Sequence, residues 1–333
     1  MILIIDHVNN TSGAPIVAGH LRRILNARIV CVRETSTAVY TSECYGLKSD
    51  NRWSYPFACI ALMLNYSFWI LVIKADKIIL NTSLTFPVAF FLRALRKKFV
   101  LFLHESAKKN LLYTVSIFLS VRLSEKIVTP TQNAYLDLAL PDDKWTVISD
   151  PIADDFRQHS NMNWIASSSS PMRVLFAGGN RNYKGGALFD EIIALRPDAH
   201  LLFIDKVGSE SFSEEHGDTT ILTPEIYSKY HVVLNLTNNI YWKETFGLIG
   251  VEGALCGSLP VYTDAFAYEE IWNAVSPNLL VGDYRGEAVI QRLTDWAIDK
   301  ENFEKTRALA HQKALEVTSP LTIYSQWNRV LWD

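Results

Sequence analysis

The sequence lacks the features by which small, metal-bound or cofactor-bound proteins are usually recognised. Its four cysteines, Cys31, Cys44, Cys59 and Cys256, show no C-x-x-C spacing and have no histidine at zinc-ligand intervals. Neither a disulfide framework nor a metal knuckle is therefore expected, and a reducing cytoplasm fits best. No G-x-G-x-x-G fingerprint follows a first strand, which argues against a dinucleotide oxidoreductase, and the absence of G-x-x-x-x-G-K-[ST] argues against a P-loop ATPase. There is no D-x-D pair to hold a divalent ion against a diphosphate, and no repeat at solenoid periods. Met1-Ile-Leu-Ile-Ile-Asp6 has neither a basic leader nor a small-residue cleavage site, so it reads as a first β-strand.

What is present is a chain of 333 residues, longer than one hydrophobic core usually organises, so two domains are expected. The net charge of -3 conceals an asymmetry. Residues 1–150 hold 17 Lys and Arg against 11 Asp and Glu, whereas the remainder holds 15 against 24. A basic first half suits an anionic neighbour such as a lipid surface or a phosphorylated acceptor; a scatter of solvated charges gives the same count. No nucleic-acid partner is expected.

In the first half, short apolar runs alternate with stretches at helical spacing. Ile2 to Ile5, Ile29 to Val32, Lys77 to Leu80, Phe99 to Leu103 and Ile127 to Thr129 read as strands, which implies a parallel sheet covered on both faces. Phe57 to Ile73 is strongly apolar but interrupted by Asn65, Tyr66 and Ser67, and reads as a buried or interfacial helix rather than a membrane span. Between Asp150 and Arg173 the pattern breaks into Pro151 and the run Ser167 to Pro171, where a domain boundary belongs. Strands are then expected at Arg173 to Ala177, Ala199 to Ile204, Thr220 to Leu222, Val232 to Leu236, Leu259 to Thr263 and Leu279 to Val281. Helices are expected near Gly185 to Leu195, Thr245 to Leu255 and Glu287 to Lys300.

The most informative stretch runs from Glu244 to Val261, E-T-F-G-L-I-G-V-E-G-A-L-C-G-S-L-P-V. A helix is expected to begin near Phe246, and free N–H groups at its start would attract phosphate. Glu252 lies eight residues after Glu244, or just over two turns at about 3.6 residues per turn, so both carboxylates can face one cleft. Ionised acceptors bind sugar and ribose hydroxyls well. Two solvated glutamates on an amphipathic helix would show the same spacing.

This run resembles the E-x-F-G-x-x-x-x-E motif and its A-x-G-x-P-V continuation in family 4 glycosyltransferases, retaining enzymes of the GT-B fold. Further segments fall in the family's order over nearly the whole chain. Ser12-Gly13-Ala14-Pro15 resembles the small-residue loop that lets donor phosphates approach the first domain. His104-Glu105 resembles the active-site histidine loop, and Val147 to Ile152 the segment leading out of that domain. Val174 to Gly185 resembles the G-R-x-x-x-x-K-G phosphate loop, with Gly179 where the family has arginine and Arg181 two residues later. Thr223-Pro-Glu-Ile-Tyr resembles the helix on the base side of the donor site.

The resemblance implies two Rossmann-like, doubly wound α/β domains facing across a cleft: residues 1–150 for the acceptor, 151–319 for the nucleotide-sugar, and 320–333 a helix returning to the first. It assigns the donor sugar to Glu244, the ribose to Glu252, sugar and diphosphate to the backbone of Phe246, Gly247 and Leu248, and the diphosphate to Lys184, with Arg181 reaching the same oxygens. Gly13, Ala14 and Thr223 complete the donor contacts. His104, at the carboxyl end of a parallel strand, is placed at the reaction centre. His7, His20 and His231 are read as structural, and Glu105 as a solvated or capping carboxylate. The implied reaction is metal-independent, retaining transfer from a nucleoside-diphosphate sugar to a glycan or glycolipid hydroxyl in bacterial surface polysaccharide assembly, with no cofactor. An inactive nucleotide-sugar-binding scaffold subunit and a sugar-nucleotide epimerase of the same fold are the alternatives.

Overall fold

A computed structural model describes residues 1–9, 13–36, 38, 43–51, 54–105, 111–138, 140–159, 171–177, 184–206, 222–238, 243–263 and 265–333. The chain divides into two compact units, Met1–Pro151 with Pro320–Asp333, and Ile152–Ser319.

The first unit opens with β1 (Ile2–Asn9), α1 (Gly13–Leu25), β2 (Arg28–Glu34) and β3 (Glu43–Lys48). It continues through α2 (Tyr55–Leu64), α3 (Tyr66–Lys74), β4 (Lys77–Leu80), α4 (Phe86–Ala94), β5 (Val100–Phe102), α5 (Leu111–Leu123), β6 (Lys126–Thr129) and β7 (Trp145–Val147). All seven strands run parallel in the order β3-β2-β1-β4-β5-β6-β7. Leu3, Ile4, Ile5, Ile79, Leu80, Leu101 and Phe102 are fully buried, as continuous apolar strands covered on both faces must be. Two strands escaped the sequence reading. Glu43–Lys48 is a half-buried edge strand carrying Glu, Cys, Tyr and Gly, and Trp145–Val147 has only three residues, so neither shows an apolar run.

The apolar segment expected as one helix is two, bent by 71°. Asn65 sits between them in an extended conformation (φ -82°, ψ 109°), and its side chain accepts from the backbone N–H of Ser67 and Phe68. A residue that caps the second helix in this conformation cannot continue the first. The segment is buried on one side only: Ala58, Leu62, Phe68 and Val72 are fully buried, whereas Leu64 and Tyr66 are 81% and 78% exposed.

The second unit contains α6 (Asp154–His159), β8 (Met172–Phe176), α7 (Gly186–Ala194), β9 (Leu202–Lys206), α8 (Pro224–Tyr227) and β10 (Val232–Asn235). After them come α9 (Leu248–Leu255), β11 (Leu259–Tyr262), α10 (Ala265–Ile271), α11 (Gly286–Ile298) and α12 (Lys300–Val317). Its parallel sheet has the order β11-β10-β8-β9. Leu279 to Val281 is not a strand. Ser276 caps a 3-10 turn over Pro277–Leu279, and only a single bridge joins Leu280 to Tyr262; Pro277, in the first turn of that element, pre-sets helical φ there. Of the strand expected at Thr220 to Leu222, residues 220 and 221 lie outside the described residues, and Leu222 is not in a strand.

The last helix, α13 (Pro320–Trp332), belongs to the first unit. Ile323, Trp327, Val330 and Leu331 form its buried stripe, and the Trp327 ring meets Phe102 edge-on at 5.1 Å.

Candidate functional site

In a doubly wound sheet, ligands bind at the carboxyl ends of the two strands where the strand order reverses. In the second unit those strands are β8 and β10: the chain goes outward from β8 to β9, then returns to β10 on the other side. Two of the expected site residues meet there. The Lys184 ammonium, on the loop between β8 and α7, donates to Glu244 Oε2 at 2.9 Å. Glu244 follows β10 and also receives Thr237 Oγ1 at 2.9 Å and Asn235 Nδ2 at 3.4 Å. Thr237 is oriented in turn by Asn235 Oδ1 at 2.7 Å. Both charged side chains are largely withdrawn from solvent, Lys184 at 25% and Glu244 at 12% exposed.

Burial pushes the Glu244 carboxyl up, but the Lys184 charge and the hydrogen bonds from Lys184, Thr237 and Asn235 outweigh it and leave it below the ordinary carboxylate range. The Glu244 carboxylate is therefore ionised at neutral pH. A half-buried ammonium at a switch point suits a ligand that brings negative charge.

The backbone that presents Lys184 is fixed by Gly185, whose φ of 92° lies in the left-handed region and whose position allows no side chain. A Cβ there would meet Leu236 O at 2.2 Å. The loop after β8 and the loop after β10 are thus packed backbone to backbone, which brings Lys184 to Glu244.

The expected helix over Thr245 to Leu255 starts later, at Leu248, with Gly247 at φ 75° turning the chain into it. Phe246 is 1% exposed and joins the second unit's core, so only its backbone is available to a ligand. Gly247 is buried and Leu248 half-buried at the start of α9, whose first N–H groups have no partner within the helix.

Glu252 occupies a different environment from the solvated helix face that spacing also allows. It lies within α9 beside α8 and α6, where Tyr227 Oη donates to its Oε2 at 3.0 Å. Burial raises its carboxyl to about 8, with the Tyr227 bond pulling down and Asp155 pushing up. Its half-buried place in α9 thus favours the protonated form more than a solvated helix face would. Tyr227 is fully buried, and its own hydroxyl is held well above the ordinary range by burial and by Glu252. Thr223 precedes the one-turn α8, and its carbonyl accepts from Ile226 N at 3.0 Å. Arg181, Gly178 and Gly179 lie outside the described residues.

In the first unit the strand order reverses between β1 and β4. At their carboxyl ends Asn81 Nδ2 donates to Asp6 Oδ2 at 3.2 Å and to Ala14 O at 3.0 Å, which ties the start of α1 to the sheet. Gly13 is the exposed first residue of α1; Ser12 lies outside the described residues. The Oδ1 of Asn81 faces His104 Nε2 at 3.3 Å, and His104 Nδ1 faces Asp150 at 3.6 Å. Burial, followed by the nearby His7, lowers the His104 ring to about 3, so it is neutral, and the tautomer protonated on Nε2 donates to Asn81 Oδ1.

Glu105 is not solvated. It is buried, accepts from Ser83 N at 3.1 Å, and so caps the 3-10 turn that follows β4, while burial raises its carboxyl. His231 is structural: its Nδ1 accepts from Arg173 N at 2.9 Å. His7 packs its ring edge-on against Tyr55 and faces Asp6 Oδ1 at 3.0 Å.

Asn235, Thr237 and Tyr227, and Asp6, Asn81 and Asp150 in the first unit, were missed by the sequence reading. For Asn235, Thr237 and Asn81 the signal is a polar residue ending or following a fully apolar strand, as in Val232-Val-Leu-Asn235-Leu-Thr237. Among the described residues no group of three or more His, Cys, Asp or Glu is placed to hold a metal ion.

No protein-family description matches the chain, and no curated protein matches it. Solved structures do. Alr3699/HepE of Anabaena, in complex with UDP, aligns over 98% of both chains at 13% identity with a TM-score of 0.73. Sucrose-phosphate synthase of Thermosynechococcus elongatus aligns over 99% of this chain and 98% of its own at 13% identity and a TM-score of 0.71. WaaG, a glycosyltransferase involved in lipopolysaccharide biosynthesis, aligns over the full length of both at 12% identity and a TM-score of 0.65. With two parallel, doubly wound units and this likeness along its whole length, the chain has the GT-B fold of these glycosyltransferases.

Proposed function

We propose that the protein is a retaining glycosyltransferase of the family 4 kind. It moves a sugar from a nucleoside-diphosphate sugar to a hydroxyl of a glycan or glycolipid, in the cytoplasm, in bacterial surface polysaccharide assembly. The observation that carries this reading is the Lys184–Glu244 pair at the β8/β10 switch point. Glu244 opens the stretch that resembles the family's paired-glutamate motif, and the fold is shared with a UDP-bound structure.

In this reading the donor's diphosphate takes the Lys184 charge, helped by the N–H groups at the start of α9 and by Arg181. Glu244, oriented by Thr237 and Asn235, accepts from a hydroxyl of the donor sugar. Glu252 holds the ribose, with Thr223 and the small residues Gly13 and Ala14 at the edges of the donor, and His104 serves the reaction centre. The bond between the anomeric carbon and the diphosphate oxygen breaks as the acceptor oxygen bonds the same carbon. The acceptor's proton passes to the departing phosphate. The protein's part is to hold the acceptor in line and to stabilise charge on the leaving group, without a metal ion or cofactor.

The test is to incubate the full chain with a panel of nucleoside-diphosphate sugars and glycolipid acceptors, following nucleoside diphosphate release and the anomeric configuration of the product. Acceptor-dependent release with retention is expected. Donor binding without any turnover across the panel would favour the scaffold alternative, and conversion of the donor sugar without an acceptor would favour the epimerase.

A further inference from the structure

The first unit carries a surface that donor chemistry does not use. Right-handed crossovers place a helix on one or other face of a parallel sheet according to the direction in which the chain moves across it. From β3 to β4, β4 to β5 and β5 to β6 the chain moves one way, so α2, α3, α4 and α5 share one face. From β1 to β2 it moves the other way, which puts α1 on the opposite face. Contacts agree: Trp69 of α3 packs on Phe91 of α4 at 6.0 Å, and the Lys97 ammonium after α4 donates to Ile73 O of α3.

Of 21 exposed large hydrophobic residues in the described chain, 11 fall in this layer, between Phe57 and Phe118. Leu64 at 81% exposed, Tyr66 at 78%, Phe57 at 67% and Ile73 at 65% are concentrated on the bent α2–α3 pair. A monomeric soluble surface seldom gathers so many into one patch. Neither helix reaches across a bilayer: ten and nine residues span about 15 and 14 Å, against a hydrocarbon core of about 30 Å.

We infer that the α2–α3 corner, with the outer faces of α4 and α5, is an interfacial surface that docks this protein on a membrane containing anionic lipid. The charges around the patch favour a lipid surface over a second copy of the chain. Lys74, Arg93, Arg96 and Arg122 stand at or just beyond the ends of α3, α4 and α5. A two-fold interface would set that basic rim against itself, whereas an anionic headgroup layer complements it. Lys97 and Lys98 do not belong to the rim, being held by the Ile73 and Ala75 carbonyls and by Glu125. The two short helices, apolar across their break, would lie in the headgroup–acyl boundary as a shallow wedge.

Flotation of the full chain with phosphatidylcholine vesicles, with and without phosphatidylglycerol, tests this. Binding should be strong only with phosphatidylglycerol and should resist inorganic phosphate. The triple variant Phe57→Ser, Leu64→Ser, Tyr66→Ser should bind at least about tenfold more weakly, since each side chain loses its burial in the lipid. Arg93→Gln with Arg96→Gln should weaken only the anionic component, by roughly fivefold per charge. These positions are exposed, so the melting temperature and its rise with nucleoside diphosphate should stay at wild-type values, which separates this test from that of the donor site. Three results would overturn the proposal: no flotation of the wild type, flotation unchanged in the triple variant, or a wild-type dimer in light scattering that the triple variant abolishes.

Discussion

Lys184 Nζ and Glu244 Oε2 lie 2.9 Å apart although 60 residues separate them in sequence, and they join the loops that leave β8 and β10. In the absence of ligand each neutralises the other. Under the proposed function, a diphosphate arriving there would compete for the ammonium and leave Glu244 to accept from the sugar. The two residues should therefore fail differently when changed.

Glu244→Gln keeps the size of the side chain and its bonds to Thr237 and Asn235 but removes the charge. Turnover should fall more than nucleoside diphosphate affinity, because the proposed partner of Glu244 is the transferred sugar. Rate and affinity measured together check this; small and equal effects on both would mean that the pair is structural only.

Glu252→Gln addresses a half-buried carboxyl raised from 4.5 to about 8. The folded protein keeps this proton where the unfolded chain has lost it. The contribution of Glu252 to stability is therefore full below about pH 4.5 and is lost as pH rises through about 8. The glutamine variant should flatten this loss, which approaches 1.4 kcal/mol per pH unit at its steepest by order of magnitude. Urea unfolding at pH 5, 6, 7 and ~8 reads the slope. The variant should weaken donor binding, and by more as pH rises and the carboxylate becomes the larger fraction.

His104, lowered from 6.5 to about 3, acts with the opposite sign. The unfolded chain takes up a proton that the buried ring refuses, so stability is full above about pH 6.5 and is lost as pH falls towards 3. His104→Asn should reduce the acid sensitivity of unfolding in that window. An unchanged acid limb would show the ring to be more solvated than its contacts with Asn81 and Asp150 indicate.

Much of this was legible in the sequence, and the misses have physical causes. Strands such as Val232–Asn235 and Lys77–Leu80 announced themselves because both faces of a parallel sheet are buried and the apolar run is continuous. β3, half-buried at an edge, had no such run. Asn65 was visible as an interruption, but that it caps one helix and stops another depends on its backbone angles. Glu244 and Glu252 were found by motif. That Lys184 lowers the pKa of one while burial raises that of the other follows from long-range packing, which spacing does not encode.

Gly185→Ala tests how the loop between β8 and α7 is held without touching a charged group. A Cβ at this left-handed position would meet both the oxygen and the Cβ of Leu236 within 2.3 Å. The variant should lose stability by about 1–3 kcal/mol from backbone strain alone. It should also displace Lys184, so that nucleoside diphosphate raises its melting temperature less than it raises that of the wild type.

The central claim is that the Lys184 ammonium binds the donor's diphosphate. It is tested most directly by calorimetric titration of uridine and guanosine diphosphates into the wild type and into Lys184→Met, which keeps most of the side-chain bulk. A charge-assisted hydrogen bond is worth about 1.5–3 kcal/mol, so affinity for the preferred nucleotide should fall by roughly 10- to 150-fold in the variant. The same affinity in both proteins, with the variant folded, would contradict the account and move the donor site away from the β8/β10 switch point.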